Sequence, residues 1–168
     1  IIVDVVANHF TSDWSAIASD WKNTDYFHSR SNCSGTNGDQ INYNDRYQVT
    51  QCHLLGLWDL NTQNATVEAK MKEFLVQAVN DGVDGFRYDA AKHVELKNEL
   101  STTSNYWSTI LQNGSQYQYG EVLQGDSNLP YSQYASMFAA SDEGGGGVTA
   151  SNYGKTLRSA LWNKNLSS

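Results

Sequence analysis

The stretch GVDGFRYDAAKHVE, residues 82–95, joins an apolar strand pattern to a dense set of charges. Its first half, with Val83, Gly85 and Phe86, is typical of a buried strand. Four ionisable side chains then follow at its far end: Arg87, Asp89, Lys92 and His93. Because an unpaired buried charge costs several kcal/mol, we expect this end of the strand to open into a site.

The chain around this stretch alternates strand and helix patterns. Strands are predicted at 1–6, 83–90 and 116–123. A helix is predicted from about Asn61 or Thr62, either of which could cap it, to Gly82. Its apolar stripe recurs every three or four residues: Val67, Met71, Phe74, Leu75, Ala78 and Val79. This order, with further helices near 105–112 and 151–166, predicts a parallel α/β fold.

Composition excludes some functions. Eleven Lys and Arg against 18 Asp and Glu leave a net charge of −7, which argues against nucleic acid as a partner. No apolar run approaches the roughly 20 residues of a membrane span. The chain opens with IIVDVV, the pattern of a strand buried on both faces. We therefore expect a fragment of a longer protein.

Two cysteines, Cys33 and Cys52, lie in a polar stretch that has no sustained helix or strand pattern. Their spacing is not that of a zinc site. A disulfide would suit an exported protein, and two free thiols are the alternative. The glycine-rich DEGGGG, residues 142–147, is predicted to be a flexible turn or an insertion. A phosphate-binding role is not expected, because no Lys-Ser/Thr follows it and no strong strand precedes it.

Polar side chains follow each predicted strand. Asn8 and His9 end the first, Arg87 and Asp89 the second, and Glu121 the third. Ligands of parallel α/β folds bind at the carboxyl ends of strands, so these groups are expected to converge. Two carboxylates there suit a retaining glycosidase, which needs one as nucleophile and one as proton donor, about 5–5.5 Å apart.

Arg87 should lie on the same strand face as Asp89 and keep it ionised as the nucleophile. Glu121 has no cationic neighbour in the sequence, which suits the proton donor. Taken singly, each residue has a structural reading. Arg87 and Asp89 could be a plain ion pair, Glu121 a helix-start carboxylate, and His9 and His93 buried structural groups. The convergence of three strand ends favours the catalytic interpretation.

Four segments resemble conserved segments of the α-amylase family of glycoside hydrolases: DVVANH (4–9), LLGLWDLN (54–61), GFRYDAAKH (85–93) and YGEV (119–122). Other stretches resemble secreted bacterial members. The resemblance implies an incomplete (β/α)8 TIM barrel, covering about strands 3 to 6 of a fold that needs about 250 residues. Residues 1–9 and 58–168 would form the partial catalytic barrel. Residues 10–57 would form the inserted, irregular domain B.

The resemblance also implies residue roles. Asp89 would be the nucleophile and Glu121 the general acid/base. Substrate-binding positions would be His9, Arg87, Lys92 and His93. A structural Ca²⁺ between barrel and domain B would take the Asn8 side chain, the Asp59 carboxylate and the carbonyls of His93 and Thr50, hard oxygen donors of the kind that calcium prefers.

The implied function is endo-hydrolysis of internal α-1,4 linkages in starch and related α-glucan polysaccharides or oligosaccharides, by a secreted monomer with no nucleic-acid or membrane partner. The family's third catalytic Asp, in a segment reading roughly FVExHD, has no counterpart here. We therefore expect the isolated 168-residue chain to be inactive.

Three alternatives remain at this point. A transglycosylase of the same superfamily would pass the glycosyl group to a sugar instead of water. A non-catalytic α-glucan-binding relative would be expected to lack one of the two carboxylates, yet both are present. An unrelated hydrolase could use His9 and Asp89 as metal ligands, although the clustered His pair favoured by such sites is missing.

Overall fold

The fold is an α/β arrangement around a parallel sheet, seen in a computed structural model that describes residues 1–141 and 146–163. Most of the predicted glycine-rich turn (142–147) and the end of the helix predicted at 151–166 lie outside the described residues. No helix within the described ranges is long and apolar enough to cross a membrane.

Four parallel strands form one sheet in the order β1-β2-β3-β4. They are β1 (Ile2–Val5), β2 (Gly85–Tyr88), β3 (Tyr117–Gly120) and β4 (Gly147–Val148). The register pairs Asp4 with Arg87 and Arg87 with Tyr119. The predicted parallel α/β architecture is confirmed, and β4 adds a strand that the sequence pattern did not reveal.

Five α-helices accompany the sheet in the described part of the chain: α1 (Arg46–Gln51), α2 (Ala65–Asn80), α3 (Tyr106–Ile110), α4 (Tyr131–Ala139) and α5 (Ser151–Trp162). The predicted cap of α2 at Asn61 or Thr62 is wrong. Asn64 caps it by accepting from the Thr66 N–H at 2.9 Å. The Thr62 hydroxyl instead donates to Glu95.

The core lies between the sheet and the helices. Val67, Met71 and Leu75 of α2 are buried there with Phe86 and Tyr88 of β2. Phe74, predicted to share that stripe, is 53% exposed. The prediction that the first strand is buried on both faces is also wrong. Ile2 and Val6 are 47% and 45% exposed, whereas Val5 is buried.

Between β1 and α2 the chain makes single 3₁₀ turns and the short helix α1. Cys33 and Cys52 form a disulfide across this segment, the first of the two alternatives that the sequence left open. Arg46 of α1 attaches it to the rest of the molecule. Its Nη2 donates to the Lys92 carbonyl at 2.8 Å, and its Nε lies 2.5 Å from Glu99 Oε1. The segment therefore lies directly above the loop that follows β2.

Candidate active site

Arg87 is the centre of a charged cluster at the carboxyl ends of β1, β2 and β3. Its Nη1 lies 2.6 Å from Asp4 Oδ1 and 3.1 Å from Asp89 Oδ1, and its Nη2 lies 3.0 Å from Glu121 Oε1. The parallel register brings these residues together across strands that are more than 80 and 30 residues apart in the chain. Asp4 was not predicted as a site residue, although its place opposite Arg87 follows once the register is known.

Glu121 is held by an ion pair and a hydrogen bond. Arg87 pairs with its Oε1, and the backbone N–H of Ala90 donates to its Oε2 at 3.1 Å. Ala90 has the left-handed φ of +49°, which is uncommon for a residue with a Cβ. The expectation that Glu121 has no cationic neighbour is therefore wrong. The sequence could not reveal this neighbour, because Arg87 is brought beside Glu121 by the pairing of β2 with β3 and not by proximity in the chain.

Partial burial lowers the pKa of Arg87, but its hydrogen bonds to Asp4 and Asp89 and the nearby charge of Glu121 outweigh this and raise the pKa above its ordinary value. The guanidinium is thus permanently charged. It balances part of the negative charge of the three carboxylates around it.

Lys92 and His93 follow in a 3₁₀ turn that is buried against α1. Lys92 is only 8% exposed. Its Nζ lies 2.8 Å from Asp126 Oδ2 and 4.9 Å from the centre of the Tyr43 ring. Tyr43 and Asp126 were not predicted as site residues. No sequence signal marks them, since Asp126 lies in a loop after β3 and Tyr43 in the irregular segment.

These residues line a cleft of about 360 Å³: Tyr43, Leu54, Asp89, Ala90, Lys92, His93, Glu121, Leu123 and Asp126. The cleft contains both predicted catalytic carboxylates and two of the four predicted substrate-binding residues. Arg87 contacts both carboxylates without lining the cleft. His9 does not line it either.

His9 lies next to the cluster and is half-buried. Its Nδ1 is 3.2 Å from the Asn8 side-chain nitrogen. Desolvation lowers the pKa of His9, and the charge of Asp89 opposes this only in part. The imidazole is therefore neutral near pH 7, and it can contribute hydrogen bonds there without adding charge.

Asp59, the carboxylate predicted to bind calcium, is 1% exposed, as is Asn8. Its Oδ2 lies 2.6 Å from His28 Nδ1, and its Oδ1 has no hydrogen-bond partner among the described residues. Burial raises the pKa of Asp59, the charge of Glu95 raises it further, and the Asn8 side chain opposes the rise. A buried carboxylate oxygen without a partner is unfavourable, and a cation would remove that cost.

The other predicted ligands are backbone carbonyls. That of Thr50 accepts from the Gln51 side chain at 2.8 Å, which leaves a second lone pair. The His93 ring is used elsewhere, since its Nδ1 lies 2.9 Å from the Val49 carbonyl. No group of three or more His, Cys, Asp or Glu able to hold a metal occurs in the described ranges. The predicted donor set includes one carboxylate and so would not form such a group. The residues present fit a hard, oxygen-preferring cation.

Glu95 was also missed by the sequence analysis. It is 1% exposed, and both its oxygens lie within 2.9 Å of a single hydroxyl, that of Thr62. A hydroxyl carries one proton, so one of the two oxygens accepts at a time or the two share it. With Asp59, Glu95 forms a second concentration of buried acids, separate from the cluster around Arg87.

A family model described as the catalytic domain of alpha-amylase matches residues 1–121. The chain belongs to the alpha-amylase family. It is similar to an alpha-amylase of Clostridium acetobutylicum, with 35% identity over 175 residues, covering 96% of this chain and 21% of that relative. An alpha-amylase of Butyrivibrio fibrisolvens is 31% identical over 194 residues, covering 99% of this chain and 18% of the relative.

Among solved structures, alpha-amylase I from Eisenia fetida superposes with a TM-score of 0.63 and 26% identity, over 84% of this chain and 28% of the other. These matches confirm the predicted family and the TIM-barrel class of fold. The chain spans about a fifth of the length of the curated alpha-amylases described above.

Proposed function

We propose that this chain carries the nucleophile and the general acid/base of an enzyme that hydrolyses internal α-1,4 linkages of starch and related α-glucans with retention of configuration. The observation that carries the proposal is the shared guanidinium of Arg87, which contacts Asp89 at 3.1 Å and Glu121 at 3.0 Å. One rigid cation therefore fixes two carboxylates beside the same cleft, the pair that double displacement requires.

In the first step, a carboxylate oxygen of Asp89 attacks the anomeric carbon while Glu121 donates a proton to the departing glycosidic oxygen. In the second, Glu121 takes a proton from water, whose oxygen displaces Asp89 from the sugar. In the described state Glu121 Oε1 forms an ion pair with Arg87 at 3.0 Å, and Oε2 accepts a hydrogen bond from the Ala90 N–H. That arrangement suits the ionised base of the second step. Proton donation in the first step requires one of the two contacts to be released.

We assign substrate binding to His9, Arg87, Lys92 and His93. The Lys92 ammonium is directed by Asp126 and the Leu123 carbonyl, which fix it at one wall of the cleft. Its position beside the Tyr43 ring suits a contact with the sugar that leaves. His9, neutral beside Asp89, suits a hydrogen bond to the sugar that is attacked.

We further assign a structural Ca²⁺ to the Asn8 side chain, Asp59 and the carbonyls of Thr50 and His93. The unpartnered Oδ1 of Asp59 supports this assignment. The cation would supply the positive charge that the buried carboxylate lacks. It would join residues 10–57, taken as domain B, to the barrel portion at 1–9 and 58–168.

The substrate class and the setting belong to the same proposal. An α-glucan polysaccharide or oligosaccharide would occupy the cleft, and the enzyme would act outside the cell as a monomer. The Cys33–Cys52 disulfide supports export, because disulfides persist in oxidising compartments.

The test is hydrolysis of maltoheptaose by the complete gene product that carries these residues, with the first product followed by proton NMR. We expect the α-anomer to appear first. Glu121→Gln should lower kcat by about 10²–10⁴-fold, the usual contribution of general acid–base catalysis, and Asp89→Asn should lower it further.

Asp20→Asn, at a carboxylate 65% exposed and outside the cleft, is the control and should leave kcat unchanged. Initial release of the β-anomer would contradict the retaining mechanism. Near-normal turnover in either cleft variant would contradict the residue assignment. Transfer to an added sugar in preference to water would favour a transglycosylase.

A further inference from the structure

His28 is a buried residue of the irregular segment that the proposed roles leave unused. It is 7% exposed, and its Nδ1 lies 2.6 Å from Asp59 Oδ2. Its backbone N–H also donates to the Asp59 carbonyl at 2.9 Å. The main chain and the side chain of one histidine therefore both bind the same aspartate.

The main chain around His28 is held by further contacts. An isolated antiparallel β-bridge pairs Phe27 with Leu60, next to the His28–Asp59 pair. The carbonyl of His28 lies 2.9 Å from His53 Nε2, and His53 is itself fully buried. His53 directly follows Cys52, the end of the disulfide. The main chain of His28 is thus fixed, and its Nδ1 contact with Asp59 orients the ring.

The groups that act on Asp59 explain why this hydrogen bond matters. The Asp59 carboxylate is 1% exposed, and besides His28 it is hydrogen-bonded by the Asn8 side chain, an uncharged amide. His28 Nδ1 contacts Oδ2, and the buried Oδ1 has no partner among the described residues that meets hydrogen-bond distance and angle.

We propose that His28 is a positioning residue that locks the Asp59 carboxylate by its Oδ2 and leaves Oδ1 as the single oxygen offered to a divalent cation. The inference rests on the proposed calcium site and deepens it. A carboxylate fixed in this way offers only Oδ1 to the cation, and its rotation is restricted. Hydrogen-bonded partners of metal ligands typically contribute 10–100-fold in metal affinity.

The experiment is calorimetric titration of CaCl₂ into the chelator-treated complete gene product that carries these residues. His28→Phe keeps a ring of similar size and removes the donor, and it should weaken calcium binding by about 10–100-fold. His28→Asn places an amide N–H at nearly the position of Nδ1 and should bind within a few-fold of the unaltered chain. His28→Gln has the same chemistry one methylene further out and should bind weakly.

Two controls separate this inference from the site on which it rests. Asp59→Asn should abolish binding. Phe138→Leu, a buried change in α4, should reduce stability without altering calcium affinity. If the unaltered chain binds calcium, Asp59→Asn does not, and His28→Phe binds normally, the positioning role is overturned and the calcium site stands.

Absence of calcium binding to the unaltered chain overturns both the site and the role of His28. If circular dichroism shows that His28→Phe does not fold, the calcium affinities of the Asn and Gln variants test the role instead. The two side chains differ by one methylene, so only the position of the amide N–H changes. Equal affinity in those two variants contradicts the positioning role.

Discussion

Two groups of acids in this chain are stabilised in opposite ways. The strand-end cluster consists of Arg87 with Asp4, Asp89 and Glu121, whose side chains are 23% to 62% exposed. The buried cluster consists of Asp59 and Glu95, each 1% exposed, with His28 and Thr62. In the first a guanidinium of the chain contacts every carboxylate. In the second the hydrogen-bond partners are an imidazole, a hydroxyl and the side-chain amide of Asn8.

The contrast between the two clusters indicates where a bound ion would stabilise the protein. A partly exposed carboxylate beside a cation keeps its charge with the help of water and of that cation. A fully buried carboxylate beside neutral donors must take up a proton or a cation, since desolvation otherwise costs several kcal/mol. The strand-end cluster is therefore suited to chemistry on a substrate. The buried cluster is suited to a permanent structural ion.

The largest effect should come from breaking the strand-end cluster. Arg87→Met removes the cation that contacts all three carboxylates, and kcat/KM for starch in the complete gene product should fall by about 10²–10³-fold, the scale of losing one preorganised electrostatic contact. Arg87→Lys should recover only part, because an ammonium cannot bridge two carboxylates in the planar way of a guanidinium.

Arg158→Met on the exposed surface of α5 is the matched control and should leave kcat/KM unchanged. Activity of Arg87→Met within threefold of normal would show that the two carboxylates are positioned without the shared cation.

The next effect concerns the disulfide of the irregular segment that contains His28. Replacing Cys33 and Cys52 together by Ser opens a loop whose ends are 19 residues apart. The free energy of unfolding should fall by about 3 kcal/mol, the loss expected for a loop of that length. Urea denaturation measures it, and the unaltered chain in reductant should show the same loss. An unchanged midpoint in both cases would contradict a stabilising role of the bond.

Removing calcium should have a similar but smaller effect. At a free calcium concentration of 100 times Kd, binding stabilises by about 2.7 kcal/mol, so a chelator should lower Tm by about 5–10 °C for a chain of this size. Asp59→Asn should show the same Tm with calcium and with chelator. If chelator leaves the Tm of the unaltered chain unchanged, the buried cluster is not stabilised by a bound ion, and this difference from the strand-end cluster disappears.

The smallest effect should come from the single hydroxyl that serves Glu95. Thr62→Val keeps the shape and removes the donor that lies 2.8 Å from Oε2 and 2.9 Å from Oε1. The free energy of unfolding in chelator should fall by about 1–3 kcal/mol, the cost of an unsatisfied buried acceptor. Thr62→Ser keeps the hydroxyl and should lose less. Equal stability of the Val and Ser variants would show that Glu95 has another source of stabilisation.

Much of the site could be predicted because the end of a buried strand can be recognised in a sequence. Apolar runs that terminate in Asn8, Asp89 and Glu121 mark three carboxyl ends, and parallel pairing brings such ends to one edge. α4 was missed although Tyr134 and Phe138 are four residues apart and buried, as an amphipathic helix requires. β4 spans two residues, too few for a pattern.

Local periodicity and short motifs were enough to predict the parallel α/β class, the strand ends and the two carboxylates beside the cleft. The contact of Arg87 with Glu121 as well as with Asp89 arises only in the folded chain. So does the contact of His28 with Asp59, 31 residues away. Such contacts depend on how an irregular segment folds back over the sheet. No periodicity encodes that path, because 3₁₀ turns held by side-chain contacts have no repeating pattern.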